Sequence, residues 1–129
     1  MTIKKATLID TCGWIEWLTD GTLSEEYAPY FSHIETIIVP TSVQYELYKW
    51  VTRQASLQQA LETIAITEQA RIITLTTSIS LSAADISTQY KLSFADAIIY
   101  ATAQFYQAEL ITSDSHFKNL PGVKYFKKS

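Results

Sequence analysis

The chain has 129 residues, a formal net charge of −3 and 47% apolar residues, which is the composition of an ordinary compact domain. Its 12% aromatic content excludes a disordered chain, and its acidic balance argues against a simple nucleic-acid binder, because such proteins are usually basic. Residues 1–129 are therefore expected to form one domain with a core of its own.

The sequence predicts neither a membrane protein nor an exported one. Its longest apolar runs, such as Ala97–Ala101, are far shorter than the roughly 18–20 residues that cross a bilayer. Met1–Asp10 lacks the apolar stretch of a secretory leader, so we expect none. Cys12 is the sole cysteine, which excludes an internal disulfide and a cysteine-rich zinc site. We expect a cytoplasmic protein in which Cys12 is a small buried hydrophobic residue.

Short apolar segments predict strands, and helical patterns separate them. The predicted strands are Thr7–Asp10, Thr36–Val39, Ile72–Leu75, Leu110–Thr112 and, more weakly, Val123–Phe126. Strands separated by helices imply crossover connections and a mainly parallel sheet that is covered on both faces. The predicted fold class is therefore α/β, with a three-layer α/β/α architecture.

Capping signals predict where several helices begin and end. Asp20–Gly21 should end a helix that follows the first strand. Thr41–Gln44, after a proline, has the pattern of a capping box, and Ser93–Asp96 has the same pattern before a helix that runs to about Gln107. The Ser/Thr-rich segment 74–88 also predicts a helix, because its apolar residues recur at helical spacing: Ile79, Ala83, Ile86 and Tyr90.

Two aspartates follow predicted strands directly. Asp10 comes after the first strand and Asp114 comes after the fourth. The carboxyl ends of parallel strands meet at one edge of the sheet, which is where ligands bind in open α/β folds, so the two side chains should lie at one site. Taken singly, each aspartate is equally well explained as a helix cap or a turn residue.

Two further acids occupy positions where a charge is costly. Glu46 flanks the apolar stripe of Val43, Leu47 and Trp50, where a carboxylate is partly desolvated unless it reaches water. Asp96 fits the third helical position of a capping box, but the helix that it begins is apolar nearly all round and should be buried. A carboxylate at the start of a buried helix calls for a second explanation.

Together the four carboxylates predict a site for a hard divalent cation. Like charges brought together raise one another's pKa, and a bound cation removes that penalty. Mg²⁺ prefers oxygen ligands, and the two histidines, His33 and His116, lack a zinc-type spacing. We therefore expect Asp10, Asp96 and Asp114 to bind the metal, with Glu46 completing the cluster.

Four short motifs follow one another along the chain: LIDT (Leu8–Thr11), YELYK (Tyr45–Lys49), FADAIIYATA (Phe94–Ala103) and LITSDSHF (Leu110–Phe117). In order and spacing they resemble the motifs of a PIN domain and, more narrowly, those of the VapC toxins of bacterial and archaeal toxin–antitoxin pairs. This resemblance implies a Mg²⁺- or Mn²⁺-dependent endoribonuclease that forms a homodimer. It also implies a cognate antitoxin that blocks the site.

Carried over by position, the acidic quartet of that family falls on Asp10, Glu46, Asp96 and Asp114, and a hydroxyl of its last motif falls on Thr112. Some family members have a further acid just after the fourth aspartate. In this chain Ser115 and His116 follow instead, so the number of bound ions stays open.

These residues predict hydrolysis of an RNA phosphodiester bond. The cation would lower the pKa of a bound water and stabilise the charge that develops during attack. Thr11 and Thr112 are candidates for hydrogen bonds to that water or to a phosphate oxygen, although turn or cap roles explain them equally well. Lys49 and Arg53 lie on the same side of a helix as Glu46 and are candidates for binding flanking phosphates, with a solvated basic face as the alternative.

Two other functional classes remain as alternatives. A catalytically silent PIN-like module that binds a protein would have the same fold, but it would have no reason to keep four mutually repelling acids. A receiver- or phosphatase-type domain usually adds a second acid beside the first aspartate and a lysine at a late strand end, and this sequence has neither. The aromatic residues of the first third are expected to lie mostly in the core, with a dimer contact or an antitoxin groove as other uses: Trp14, Trp17, Tyr27, Tyr30 and Phe31.

Overall fold

The structure is a computed structural model that describes residues 5–128. Within that range the strands β1–β5 are Thr7–Ile9, Ile37–Pro40, Arg71–Ile73, Glu109–Thr112 and Val123–Tyr125. The helices α1–α6 are Thr11–Leu18, Ser24–Phe31, Thr41–Gln54, Leu57–Thr67, Thr77–Tyr90 and Phe94–Phe105. Short 3₁₀ turns cover Ile34–Thr36 and Ser115–Phe117.

The strands form one parallel sheet in the order β3-β2-β1-β4-β5. The chain steps outward from β1 to β3 and then returns to the other side of β1, so β1 and β4 are neighbours, with Leu8 opposite Leu110 and Ile9 opposite Ile111. Such a reversal leaves a crevice beyond the carboxyl ends of the two central strands. The predicted three-layer α/β/α fold with a mainly parallel sheet is confirmed.

The central strands and helix α6 lie at the centre of the core, and the other helices pack around them. β1 and β2 are buried along their whole length, as expected for parallel strands that are covered on both faces. In α6 every residue from Ala97 to Ala103 is buried, so the all-round apolar pattern indicated a core helix correctly. Trp14, Tyr27 and Phe31 are also buried, which confirms the core role for these aromatic side chains.

The predicted elements agree with the structure apart from one cap and two helices. Each predicted strand is present within two residues of its expected bounds, and the Ser/Thr-rich segment forms α5. The Ser93 cap is confirmed, because its Oγ accepts a hydrogen bond from the Asp96 amide at 3.3 Å. The spacing of apolar residues in the sequence did not predict helices α2 and α4. Helix α2 carries an internal proline, Pro29, and α4 exposes both of its leucines, Leu57 and Leu61.

The predicted capping box at Thr41 is wrong. Pro40 is the N-cap of α3 and Thr41 is already helical. The Gln44 amide donates instead to Thr67 at 3.0 Å and to Glu68 at 2.7 Å. The Gln44 side chain, which a capping box would need, therefore bonds the end of α4 instead.

No helix between residues 5 and 128 combines the length and the apolar composition that a bilayer span requires. The expectation that Met1–Asp10 is not a leader falls partly on Met1–Lys4, which lies outside the described residues.

Candidate active site

Asp10 lies at the carboxyl end of β1 and begins α1. Its amide donates to Ile111 O at 3.0 Å, which extends the pairing of β1 with β4 up to the aspartate. Gly13, one turn into α1, leaves no room for a Cβ, because one would lie 2.5 Å from the Tyr27 ring and 2.6 Å from Ile9. This close packing of α1 against β1 fixes the backbone from which the Asp10 side chain projects.

The Asp10 carboxylate is buried and receives its hydrogen bonds from uncharged donors. The residue is 5% exposed; its Oδ1 accepts from the Thr11 amide and its Oδ2 from Thr112 Oγ1, both at 2.8 Å. Burial is the main cause that raises the pKa of Asp10 from 3.8 to about 6. The charges of Asp114 and Asp96 raise it further, against the two hydrogen bonds.

Thr112, at the end of β4, joins two of the acids. Its hydroxyl donates to Asp10 Oδ2 and accepts from the Asp114 amide at 2.9 Å. The side chain is fully buried, so its bond to Asp10 is shielded from water. Thr112 therefore fixes Asp10 relative to the backbone that carries Asp114.

Asp96, Asp114 and His116 converge at the same edge. Asp96 Oδ2 lies 3.1 Å and Asp114 Oδ1 lies 3.2 Å from His116 Nδ1, and one ligand atom from each residue falls within 4.8 Å of the others. The side chain of Asp96 is 16% exposed and that of Asp114 is 30% exposed. Burial raises the pKa of Asp96, the Asp114 charge raises it further, and the contact with His116 opposes both effects.

Glu46 reaches the cluster from α3. Its Oε1 accepts from Thr11 Oγ1 at 2.9 Å, while the Thr11 amide donates to Asp10. Partial burial is the main cause that raises the pKa of Glu46, the bond from Thr11 lowers it, and the charges of Asp96 and Asp114 raise it. Glu46 is thus electrostatically part of the same site.

The structure places all four predicted acids at one edge of the sheet, and the cluster fits a divalent cation. Between residues 5 and 128, no lysine or arginine forms an ion pair with Asp10, Glu46, Asp96 or Asp114. The donors that they offer are carboxylate oxygens, which Mg²⁺ and Mn²⁺ favour. Raised carboxylate pKa values with no lysine or arginine partner are typical of a site that a cation would stabilise.

Lys49 and Arg53 line a groove beside Glu46. The groove has a volume of about 250 Å³ and is lined by Tyr45, Glu46, Lys49, Trp50 and Arg53. Tyr45 is 64% exposed, and the Lys49 Nζ lies 5.8 Å from the centroid of its ring. The two basic side chains and the exposed tyrosine ring therefore lie next to the acidic cluster.

Cys12 is not the buried hydrophobic residue that was predicted. It is partly exposed, and its Sγ lies 3.3 Å from Ser113 Oγ, 3.6 Å from Thr112 Oγ1 and 3.8 Å from Asp10 Oδ2. Burial and the Asp10 charge raise the pKa of the Cys12 thiol, so it remains protonated beside the carboxylate. The strand-end position of Asp10 and Ser113 places polar partners around it, which composition alone did not indicate.

The sequence analysis examined His116 mainly as one of a possible pair of zinc ligands. It did not predict that the imidazole lies between Asp96 and Asp114. The sequence signal that could have predicted this is the position of His116 two residues after Asp114. A tight turn at that spacing brings the second side chain back towards the carboxylate of the residue that caps the turn. Asp114 Oδ1 accepts from the His116 amide at 2.9 Å, which closes that turn.

The PIN domain family model matches residues 7–123. Among solved structures, the chain is similar to a toxin–antitoxin complex from Klebsiella pneumoniae, with 24% identity, 92% of this chain and 96% of that chain covered, and a TM-score of 0.79. It is also similar to VapBC2 from Rickettsia felis bound to a DNA fragment from their promoter (16% identity, 95% and 99% covered, TM-score 0.76).

A third similar structure is VapC20 from Mycobacterium tuberculosis, described as a Sarcin-Ricin loop cleaving toxin (14% identity, 95% of this chain and 90% of that chain covered, TM-score 0.71). At these identities the likeness establishes a shared fold. A comparison with curated proteins found no match.

Proposed function

The chain belongs to the PIN domain family, and on that premise we propose that it is a metal-dependent endoribonuclease that acts as the toxin of a toxin–antitoxin pair. The observation that carries the proposal is the convergence of Asp10, Glu46, Asp96 and Asp114 at the switch point of the sheet, with no lysine or arginine of the described part of the chain paired to them. Keeping four acids in this arrangement costs free energy, which a bound cation offsets. We also propose that residues 1–129 form one domain.

Mg²⁺ or Mn²⁺ is the cofactor that this proposal requires. Asp10, Asp96 and Asp114 would hold it, with Glu46 at the rim beside Thr11. When bound, such an ion supplies Lewis-acid activation of water and stabilises the charge of a phosphodiester under attack. Thr112 and Thr11 keep the carboxylates in place through the hydrogen bonds already described, which is the role that we assign to these two hydroxyls.

The groove on α3 is the proposed path of the RNA. Lys49 and Arg53 are placed to bind phosphates on one side of the acidic cluster, where cations are needed because the chain is acidic overall. The exposed ring of Tyr45 offers a face on which an unpaired base stacks, a contact that tolerates any base. A substrate of unpaired RNA is also in keeping with the loop-cleaving activity that names VapC20.

A cognate antitoxin and a second copy of the chain are the proposed partners, in the cytoplasm. Similar structures include a toxin–antitoxin complex and DNA-bound VapBC assemblies. Helix α4 exposes Leu57 and Leu61, each 55% accessible, four residues apart on one helical face. Phe94, 79% exposed, borders a cleft of about 340 Å³ between α5 and α6. Exposed apolar side chains of this kind support protein contacts.

The proposal is tested by incubating the antitoxin-free protein with an RNA mixture in the presence of Mg²⁺, of Mn²⁺ or of a chelator. We expect cleavage with a metal and none with the chelator, and we expect Asp96→Asn to lose it. Asp85→Asn, at an exposed position of α5, is the matched control and should cleave like the wild type. Equal cleavage by wild type and Asp96→Asn, or no metal-dependent cleavage at all, would favour a silent protein-binding module.

A further inference from the structure

His116 is an exposed side chain whose position is nonetheless fixed. Asp114 caps the 3₁₀ turn Ser115–Phe117 by accepting from the His116 amide. Phe117 anchors the other end of the turn, because it is fully buried and stacks on Tyr100 at a centroid distance of 6.4 Å. The imidazole, 70% exposed, therefore projects from a short turn that is held at both ends.

The distances at His116 suit a shared metal ion. Nδ1 lies 3.1 Å from Asp96 Oδ2 and 3.2 Å from Asp114 Oδ1. Around a small octahedral cation with bonds of about 2.1 Å, adjacent ligand atoms are roughly 3.0 Å apart. His116 Nδ1 thus already has this spacing to an oxygen of each aspartate, and the two aspartate oxygens lie within 4.8 Å of each other. Both aspartates are proposed metal-binding acids.

We propose that His116 Nδ1 is a protein ligand of the metal, together with Asp96 and Asp114, so that the site selects a first-row transition ion such as Mn²⁺ over Mg²⁺. Mg²⁺ binds oxygen and dehydrates reluctantly, whereas imidazole is a regular ligand of transition metals. This inference rests on the proposed nuclease function, and it specifies the cofactor of the same site.

The opposite role for His116 is that of an internal counter-charge. The same distances suit an imidazole that donates a hydrogen bond to the two acids, and a histidine in that role would compete with any cation. The two roles predict opposite effects when the ring is removed. Loss of a ligand weakens metal binding, whereas loss of a competing positive charge strengthens it.

The experiment compares Mn²⁺ binding by wild type and His116→Gln near neutral pH, with free Mn²⁺ followed by electron paramagnetic resonance and Mg²⁺ measured by competition. Because loss of even an outer-sphere partner costs a metal site about 10- to 100-fold in affinity, we expect His116→Gln to bind Mn²⁺ at least about tenfold more weakly. Its Mg²⁺ affinity should change much less. His33→Gln, at the opposite edge of the sheet before β2, is the matched control and should bind both ions like the wild type.

A second readout does not depend on affinity. Pulsed electron paramagnetic resonance of the Mn²⁺-loaded protein should show the nitrogen coupling of a ligated imidazole in wild type and in His33→Gln, and should not show it in His116→Gln. Because the imidazole is exposed, the substitution should leave the fold intact, which circular dichroism checks. Unchanged or tighter Mn²⁺ binding by His116→Gln, or no nitrogen coupling in wild type, would overturn the inference.

The RNA assay separates failure of this inference from failure of the proposed function. If wild type binds Mn²⁺ and cleaves RNA while Asp96→Asn does not, but the nitrogen coupling is absent, the nuclease stands and His116 is not a ligand. If wild type neither binds a divalent cation nor cleaves RNA, both proposals fail together.

Discussion

Asp10 and Glu16 are two carboxylates six residues apart, with the same 5% exposure, in opposite electrostatic surroundings. Glu16 Oε1 pairs with Lys128 Nζ at 2.7 Å and its Oε2 accepts from the Leu23 amide at 3.2 Å. The bond from Lys128 is the main cause that lowers the pKa of Glu16. Asp10 has uncharged donors and two acidic neighbours, and its pKa rises to about 6.

The difference between the two sites supports the proposal that Asp10 has a functional role and Glu16 a structural one. At Glu16 the fold supplies its own cation from the C-terminal segment, so the buried charge is neutralised when the chain folds. At Asp10 the fold supplies hydrogen bonds, and no lysine or arginine between residues 5 and 128 pairs with it. The rise of its pKa from 3.8 to about 6 corresponds to about 3 kcal/mol against the ionised form. A cation from solution would offset this cost, which is why we propose that Asp10 binds a metal ion.

The largest expected effect is on catalysis by Asp10→Asn. The substitution retains the shape of the side chain but removes the central negative charge of the cluster, so we expect RNA cleavage to slow by about 100-fold or more, or about 2.7 kcal/mol in the barrier. Initial rates on a defined RNA at saturating Mn²⁺ measure it. Glu16→Gln is the matched control, and a rate for Asp10→Asn within a few-fold of this control would contradict the comparison.

Thr112→Val sharpens the comparison by removing a support of Asp10 rather than its charge. Valine leaves the Asp114 amide without its acceptor and Asp10 Oδ2 without its donor. We expect the pKa of Asp10 to rise further, the free energy of unfolding to fall by about 1–2 kcal/mol, and the cleavage rate to fall by about tenfold, or about 1.4 kcal/mol. Kinetics and urea unfolding measure these effects. Thr112→Ser keeps the hydroxyl and should stay close to wild type; equal losses in both variants would point to packing instead.

Lys128→Ala tests the other side of the comparison. It leaves Glu16 buried without its counter-ion, and we expect the free energy of unfolding to fall by about 1 kcal/mol, a value discounted because Lys128 is 59% exposed. Since the pKa of Glu16 is lowered, the stability from this pair is present above the ordinary pKa of a glutamate and is lost as the pH falls. In urea unfolding, the free energy of unfolding of the variant should therefore fall less steeply than that of the wild type as the pH is lowered. RNA cleavage should be unchanged. If Lys128→Ala instead cleaved RNA more slowly while its stability matched the wild type, Glu16 rather than Asp10 would be the functional acid.

The smallest effect is expected at the groove. Lys49→Ala or Arg53→Ala removes one proposed phosphate contact from an exposed surface, so KM should rise about two- to fivefold with kcat unchanged, and the dependence of binding on salt should weaken by about one ion. Steady-state kinetics at several salt concentrations measure both. Lys91→Gln, at the end of α5, serves as the control. A change confined to kcat would place these side chains in the chemistry rather than in RNA binding.

The sequence was sufficient where local chemistry and the topology of a parallel sheet agree. Asp10 and Asp114 could be placed at one edge because each follows a buried strand, and Glu46 could be added because it flanks an apolar stripe. The position of His116 depends on a 3₁₀ turn that Phe117 anchors from the core. The Glu16–Lys128 pair joins the first helix to the C-terminal segment, and the contact of Gln44 with α4 is likewise set by packing. Long-range contacts of this kind leave no periodicity in the sequence.

The most direct test of the account is the sign of the stability difference between Asp10→Asn and wild type near neutral pH, measured by urea unfolding with a chelator and again with saturating Mn²⁺. A group whose pKa is raised on folding destabilises the native state above that pKa, so with the chelator the variant should be more stable than wild type, by up to about 3 kcal/mol. With Mn²⁺ the order should invert, because the ion stabilises the folded wild type by mass action and binds the variant poorly. If the variant is the less stable protein under both conditions, or if Mn²⁺ leaves the difference unchanged, the acidic edge is a structural feature of the fold and not a metal site.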